Sequence, residues 1–222
     1  MSYNRNKKGQ VGVVTAVLLS GMVVAGVGSA LMWGLPLLEK EQDERVLEDS
    51  LSQMEELTEA IEDVSVVGGS TTMDIELEGG SLLVDDERNM IEFSANTEVA
   101  YVSTDDWTPL NEREVRGLDF EGSDTVNSSD SYGIIGTDRA GVLLGNADLR
   151  EDEYNTRFRI AFRELNDLTT DEGFQVDLRT DDDIMVSPGT HTLYIESQGT
   201  ETDGVSQRGG PLEKRIVSIS LG

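Results

Sequence analysis

The sequence predicts an α+β fold: one long N-terminal helix, hydrophobic and then amphipathic, leading into an antiparallel β-sheet or β-sandwich domain. Three observations predict it. From Gly9 to Leu38 no residue carries a formal charge. Between Leu47 and Val64 apolar residues return every three or four positions, the helical period. From Thr72 onward the apolar period falls to two, as in half-buried strands.

These textures divide the chain into a basic leader at 1–9, a membrane or assembly helix at 10–38, an amphipathic helix at 39–67 and a β domain at 68–222. The leader carries Arg5, Lys7 and Lys8. At about 1.5 Å of rise per residue, the uncharged run that follows is long enough to span a bilayer with some tilt. Basic residues on its N-terminal side hold that end in the cytoplasm, so the remainder is expected outside, as a single-pass protein. Within the run, small residues recur four apart in three rows: Gly12, Ala16, Ser20; Gly21, Ala25, Ser29; and Gly26, Ala30, Gly34. Such rows let helix backbones approach closely. Gly34 and Pro36 are expected to bend or interrupt the helix.

The next segment places Leu47, Leu51, Met54, Leu57, Ile61 and Val64 on one narrow stripe, with acidic residues elsewhere. Five turns is short for a free-standing coiled coil, so the stripe is expected to pack on the following domain. Gly68-Gly69 ends the helix. Beyond it, Ile75 and Leu77, a Gly79-Gly80 turn, then Leu82 and Val84 read as a hairpin. Further strands are expected in MIEFSA, EVAYVST, SYGIIG, AGVLLGN, RFRIAFREL, FQVDLRT, HTLYIES and KRIVSISL. The total is roughly eight to eleven strands in a sandwich or wrapped sheet. FEGSDTVNSSDSYG and SQGTETDGVSQRGG read as loops.

Composition narrows the function. Acidic residues number 44 against 17 basic ones, for a net charge of −27. Nucleic acid binding is disfavoured, since phosphate neutralisation needs basic patches. Lysine is nearly absent after the leader, only Lys40 and Lys214 remaining. This carboxylate-rich, lysine-poor composition resembles that of halophilic archaeal proteins, in which high salt screens the self-repulsion. With no cysteine, disulfides, thiolate zinc sites and cysteine nucleophiles are excluded. The single histidine, His191, reads as a strand-edge residue. The acidic triplets Asp85-Asp86-Glu87 and Asp181-Asp182-Asp183 lack the spacing of a calcium loop. No catalytic constellation emerges, and no metal or cofactor is expected. Asn127-Ser128-Ser129 fits the N-glycosylation triplet.

Three fates compete for the N-terminus. A conventional signal peptidase could cut after Gly28-Ser29-Ala30, but the apolar run continues past that site to Leu38. An uncut anchor needs only the run, and leaves the glycine between lysines and run without a role. The third fate follows from a resemblance. Lys7-Lys8-Gly9-Gln10-Val11-Gly12 is similar to the class III signal of archaeal type IV pilin-like proteins, a superfamily that includes archaellins. The resemblance implies that a prepilin peptidase recognises Lys7, Lys8 and Gly9 and cuts between Gly9 and Gln10. It implies a mature helix that first anchors the subunit and then packs with other pilin-like subunits. The position five residues into the mature chain is Val14, where bacterial pilins carry glutamate and archaeal members commonly do not. The expectation is a minor structural or adhesive subunit of a type IV pilus-like filament, not an enzyme, in the cell membrane or in a pilus outside it. The alternative is an uncleaved membrane-anchored β domain that binds a cell-envelope partner, as an archaellum accessory would.

Overall fold

The fold was obtained as a computed structural model, which describes residues 7–104, 106–112, 115–118, 132–151, 153–181 and 184–222, with side chains from residue 15 onward. The chain divides into two units, Met1–Gln42 and Asp43–Gly222. Helix α1 covers Lys7–Val67, and its helical conformation continues through Gly34 and Pro36, although Pro36 has no N–H to donate. Proline tolerance inside an apolar helix follows from local adjustment of the freed carbonyl. The helix ends where Gly68, at φ +78°, turns left-handed and donates its N–H to the Val64 carbonyl at 2.9 Å.

Among the described residues of the second unit, twelve strands form two six-stranded sheets. In chain order they are β1 (Ser70–Leu77), β2 (Ser81–Asp85), β3 (Met90–Thr97), β4 (Thr108–Pro109), β5 (Gly133–Ile134), β6 (Gly141–Arg150), β7 (Glu153–Phe162), β8 (Leu165–Asn166), β9 (Gly173–Arg179), β10 (Ile184–Val186), β11 (Gly189–Val205) and β12 (Pro211–Leu221). One sheet has the order β1-β11-β12-β9-β8-β5, the other β10-β2-β3-β7-β6-β4. Pairing is antiparallel except for β9 with β12 and β5 with β8. The β9–β12 pair is parallel because the chain leaves for the other sheet through β10 before returning by β11.

Several expectations change here. The segment 75–84 is not a hairpin: β1 and β2 lie in different sheets, and Gly79-Gly80 carries the chain between them. Gly80 has φ +76°, and a Cβ there would lie 2.3 Å from the Ser94 carbonyl oxygen, so only glycine fits. The hairpin is instead β2–β3, with Ser81 opposite Ser94 and Asp85 opposite Met90. EVAYVST forms no strand of its own; its Ser103 carbonyl accepts a hydrogen bond from the Ala147 N–H. SYGIIG contributes only the two residues of β5. SQGTETDGVSQRGG is largely strand, because β11 runs to Val205 as one side of a ribbon with β12.

The core lies where the second half of α1 meets both sheets. Leu47, Met54, Leu57, Ile61 and Val64 are buried with Leu82, Phe93, Phe158 and Ile160 of one sheet and Ile75, Val176, Leu193 and Val217 of the other. Leu51 packs against the same cluster. Strand β7 alternates as its pattern requires: Phe158, Ile160 and Phe162 face this core, and Arg159 pairs across the outer face with Glu92 at 2.6 Å. Strand β6 is buried on both faces from Gly141 to Ala147. Its outer face, Val142 and Leu144, is covered by Trp107, Val115 and Leu118.

Candidate functional site: the exposed apolar helix

The segment from Thr15 to Leu38 carries a long row of large, exposed apolar side chains. Val17, Met22, Val24, Met32 and Trp33 are between 65% and 81% exposed. Thirteen large apolar side chains of this segment are more than half exposed. At about 1.5 kcal/mol for each such side chain buried, covering them is worth on the order of 20 kcal/mol. That exceeds the roughly 5–15 kcal/mol by which a whole domain is stable. An apolar environment must therefore cover this helix. It is long and apolar enough to cross a bilayer, with a mean hydropathy of 1.9 over its most apolar window.

The few polar groups in the run are handled as a lipid-facing helix requires. The Ser20 hydroxyl donates to the Ala16 carbonyl at 2.7 Å, and Ser29 donates to Ala25 at 2.8 Å. Neither needs water. The small-residue rows are open: a Cβ added at Gly21, Gly26 or Gly34 would meet no atom within 4 Å. Ala16, Ala25 and Ala30 are exposed beside them. These positions form shallow notches that a second helix could approach closely. Lys7, Lys8, Gly9, Gln10 and Gly12 lie in the first turns of α1, and their side chains fall outside the described part. Asn127 also lies outside the described residues.

The second half of the helix is fastened by side chains that the sequence did not single out. Asp43 accepts the Glu98 N–H at 2.6 Å. Gln53 makes two hydrogen bonds to the Glu76 backbone, accepting from N–H at 2.7 Å and donating to C=O at 2.9 Å. Glu62 accepts from the Gly141 N–H at 2.8 Å and from Arg139 at 2.9 and 3.1 Å. Burial alone would lower the Arg139 pKa, but Glu62, and then Glu59 and Glu112, outweigh it and raise the pKa. Nearby, Tyr101 has its phenol pKa raised, first by burial and then by the carboxylates of Glu48, Glu44 and Glu55. Arg163, fully buried past the end of β7, donates to the Arg139 carbonyl at 2.9 Å, the Arg116 carbonyl at 2.8 Å and the Glu112 carboxylate. Nothing in the local sequence distinguishes Gln53 or Glu112 from other surface residues, because their partners are distant in the chain.

Other candidates occupy modest settings. His191 is half-buried on β11, with Nε2 2.7 Å from the Ser187 carbonyl oxygen. Asp85 accepts from the Arg88 N–H and guanidinium, and Asp86 accepts from the Thr180 N–H at 3.2 Å. Asp182 and Asp183 lie outside the described residues. A cleft of about 500 Å³ beside the helix is lined by Asp49, Asp74, Glu76 and Glu78, too polar for an apolar ligand. Among the described residues, no group of three histidine or carboxylate side chains could hold a metal ion.

Compared with known proteins, the chain matches no family model, no curated protein and no solved structure.

Proposed function

We propose that this chain is a pilin-like surface protein, cut between Gly9 and Gln10 by a prepilin peptidase. It then serves as a structural or adhesive, minor subunit of a type IV pilus-like filament. One observation carries the reading. A bare apolar helix with open small-residue notches belongs to the same helix, α1, whose later turns are buried in a β unit. An anchor needs only the bare part. A subunit that passes from lipid into a helical bundle needs both, since leaving lipid is tolerable only where other apolar surface replaces it. The Lys7-Lys8-Gly9 signal supports the reading, and so does the carboxylate-rich composition, which suits a salt-rich exterior. On this reading the protein is not an enzyme, and its partners are the membrane, the peptidase and other pilin-like subunits.

Intact mass and N-terminal peptide mapping of the native protein test it. The expected mature chain begins at Gln10, with or without cyclisation of that glutamine. Retention of Met1 or Ser2 would replace the filament subunit by an uncut anchor whose β unit binds a cell-envelope partner. A start at Leu31 would leave a secreted domain and end both readings.

A further inference from the structure

We infer that the outer edge of β1 pairs with the same edge of a second copy of this chain, antiparallel and centred on Thr72. The outermost strands β4 and β5 have two residues each and β10 has three, too few to template a neighbour. The fourth, β1, has eight. Its odd-numbered residues bond β11: the Gly69 carbonyl accepts the Ser197 N–H, whereas Gln53 bonds both backbone groups of Glu76 from the opposite side. Ser70, Thr72 and Asp74 share the direction of Glu76, so their N–H and C=O point away from the sheet. Among the described residues nothing bonds these groups, and all three residues are exposed. The Asp74 carboxylate is turned back to its own sheet, where it accepts the Thr192 hydroxyl at 2.7 Å. An edge of this kind is a template for another strand.

The edge is complementary to itself in one register. With Thr72 opposite Thr72 of the second copy, Ser70 falls opposite Asp74 and Asp74 opposite Ser70. Each outward residue then exchanges its N–H and C=O with its opposite, as in the closely bonded pairs of an antiparallel ladder. The side-chain pairs are threonine with threonine and serine with aspartate, and no like charges are opposed. On the inner face the half-buried Met73 meets Thr71 of the second copy. On the outer face Tyr194, 48% exposed, lies beside Thr72, so a row of tyrosine, threonine, threonine and tyrosine crosses the two-fold axis. Sliding by two residues loses bonds either way. One slide sets Ser70 against Glu76, whose backbone Gln53 already holds. The other sets Asp74 against Gly68, whose N–H is given to the Val64 carbonyl and whose φ of +78° turns the chain out of the strand. Within the unit α1 runs antiparallel to β1, with Val46 beside Gly79, Gln53 at Glu76 and Val67 leading into Ser70. The two-fold axis therefore places the Asp43 ends of the paired copies at opposite ends of the joined strands. It suits copies whose chains arrive from opposite sides, whether or not the N-terminus is processed.

The test uses the full chain, one copy per lipid nanodisc so that the apolar helices stay apart, in high salt so that the charge of −27 on each copy is screened. Amide hydrogen exchange at Thr72 and Asp74 is followed at low and high protein concentration, with sedimentation alongside. These amides are expected to exchange freely at low concentration and to gain protection at high concentration, as paired discs appear. Thr72→Pro replaces an N–H that makes no bond within the unit and should abolish pairing. Because the chain has no cysteine, Thr72→Cys supplies one thiol. Opposed residues of a bonded pair have Cα atoms about 5.5 Å apart, within disulfide reach, so mild oxidation should link the discs in pairs. Asp74→Cys should not link to itself, but should link to Ser70→Cys when the two are mixed. Unprotected Thr72 and Asp74 amides with no paired discs at high concentration would overturn the inference. So would undiminished pairing of folded Thr72→Pro, or self-linking of Asp74→Cys as readily as Thr72→Cys. Should Thr72→Pro fail to fold, the cysteine variants decide.

Discussion

Arg163 shows how strongly single residues are committed in this β unit. Its side chain is fully buried, and its charge is balanced by Glu112 and two backbone carbonyls. Breaking such a pair from one side leaves a buried charge without compensation. Glu112→Ala is therefore expected to lower unfolding free energy by about 3–5 kcal/mol, read by denaturant titration. Replacing both partners by apolar side chains of similar size should cost less than the single change. A loss well below that range in Glu112→Ala would mean that the two carbonyls alone satisfy the guanidinium. Arg157 and Arg159 behave differently. Their guanidinium carbons lie 5.1 and 4.3 Å from the centre of the Trp107 ring, stacking that fixes the covering segment over β6.

Among elements, the two halves of α1 obey opposite rules. From Thr15 to Leu38 large apolar residues point in all directions and are exposed, as a surrounding apolar medium demands. From Leu47 to Val64 they form one stripe, and that stripe is in the core. Leu57→Asp, which puts a carboxylate into a fully buried position, should destabilise the β unit by more than about 4 kcal/mol. Thermal unfolding in high salt checks this. An unchanged transition would mean that the helix undocks without consequence for the sheets.

For the molecule as a whole, the net charge of −27 is the dominant long-range term. Eleven carboxylates lie on α1 between Glu39 and Asp63, with only Lys40 and Arg45 among them. Screening shortens from about 10 Å at 0.1 M salt to about 3 Å at 1 M, so repulsion between such neighbours fades over that range. The unfolding temperature should therefore rise by several degrees as potassium chloride is raised across it, with circular dichroism as the measurement. A flat response would show that the ion pairs, such as Arg159 with Glu92 and Arg139 with Glu62, already offset the excess.

The α+β class was legible because its signals are local. An uncharged run needs no knowledge of its neighbours to be recognised as a membrane-compatible helix. A shift of apolar period from about 3.6 to two marks helix and strand in the same way. The stripe Leu47, Leu51, Met54, Leu57, Ile61 and Val64 was legible for that reason, and so were the inward phenylalanines of β7. Pairing was not legible. Gly79-Gly80 looks like a hairpin turn, since turn chemistry is the same whether the chain returns to its own sheet or crosses to the other. Only the packed core between the sheets decides which occurs. Long-range side-chain bonds were equally hidden: Asn89 bonds the Val176 and Leu178 backbone on β9, and Asn111 bonds that of Gly141 and Leu143 on β6, across distances that no local pattern encodes. The sequence by itself thus determined the elements and the apolar helix that needs covering. Tertiary structure alone decided which strands pair and which distant side chains hold them, because hydrogen-bond satisfaction is a property of the folded whole.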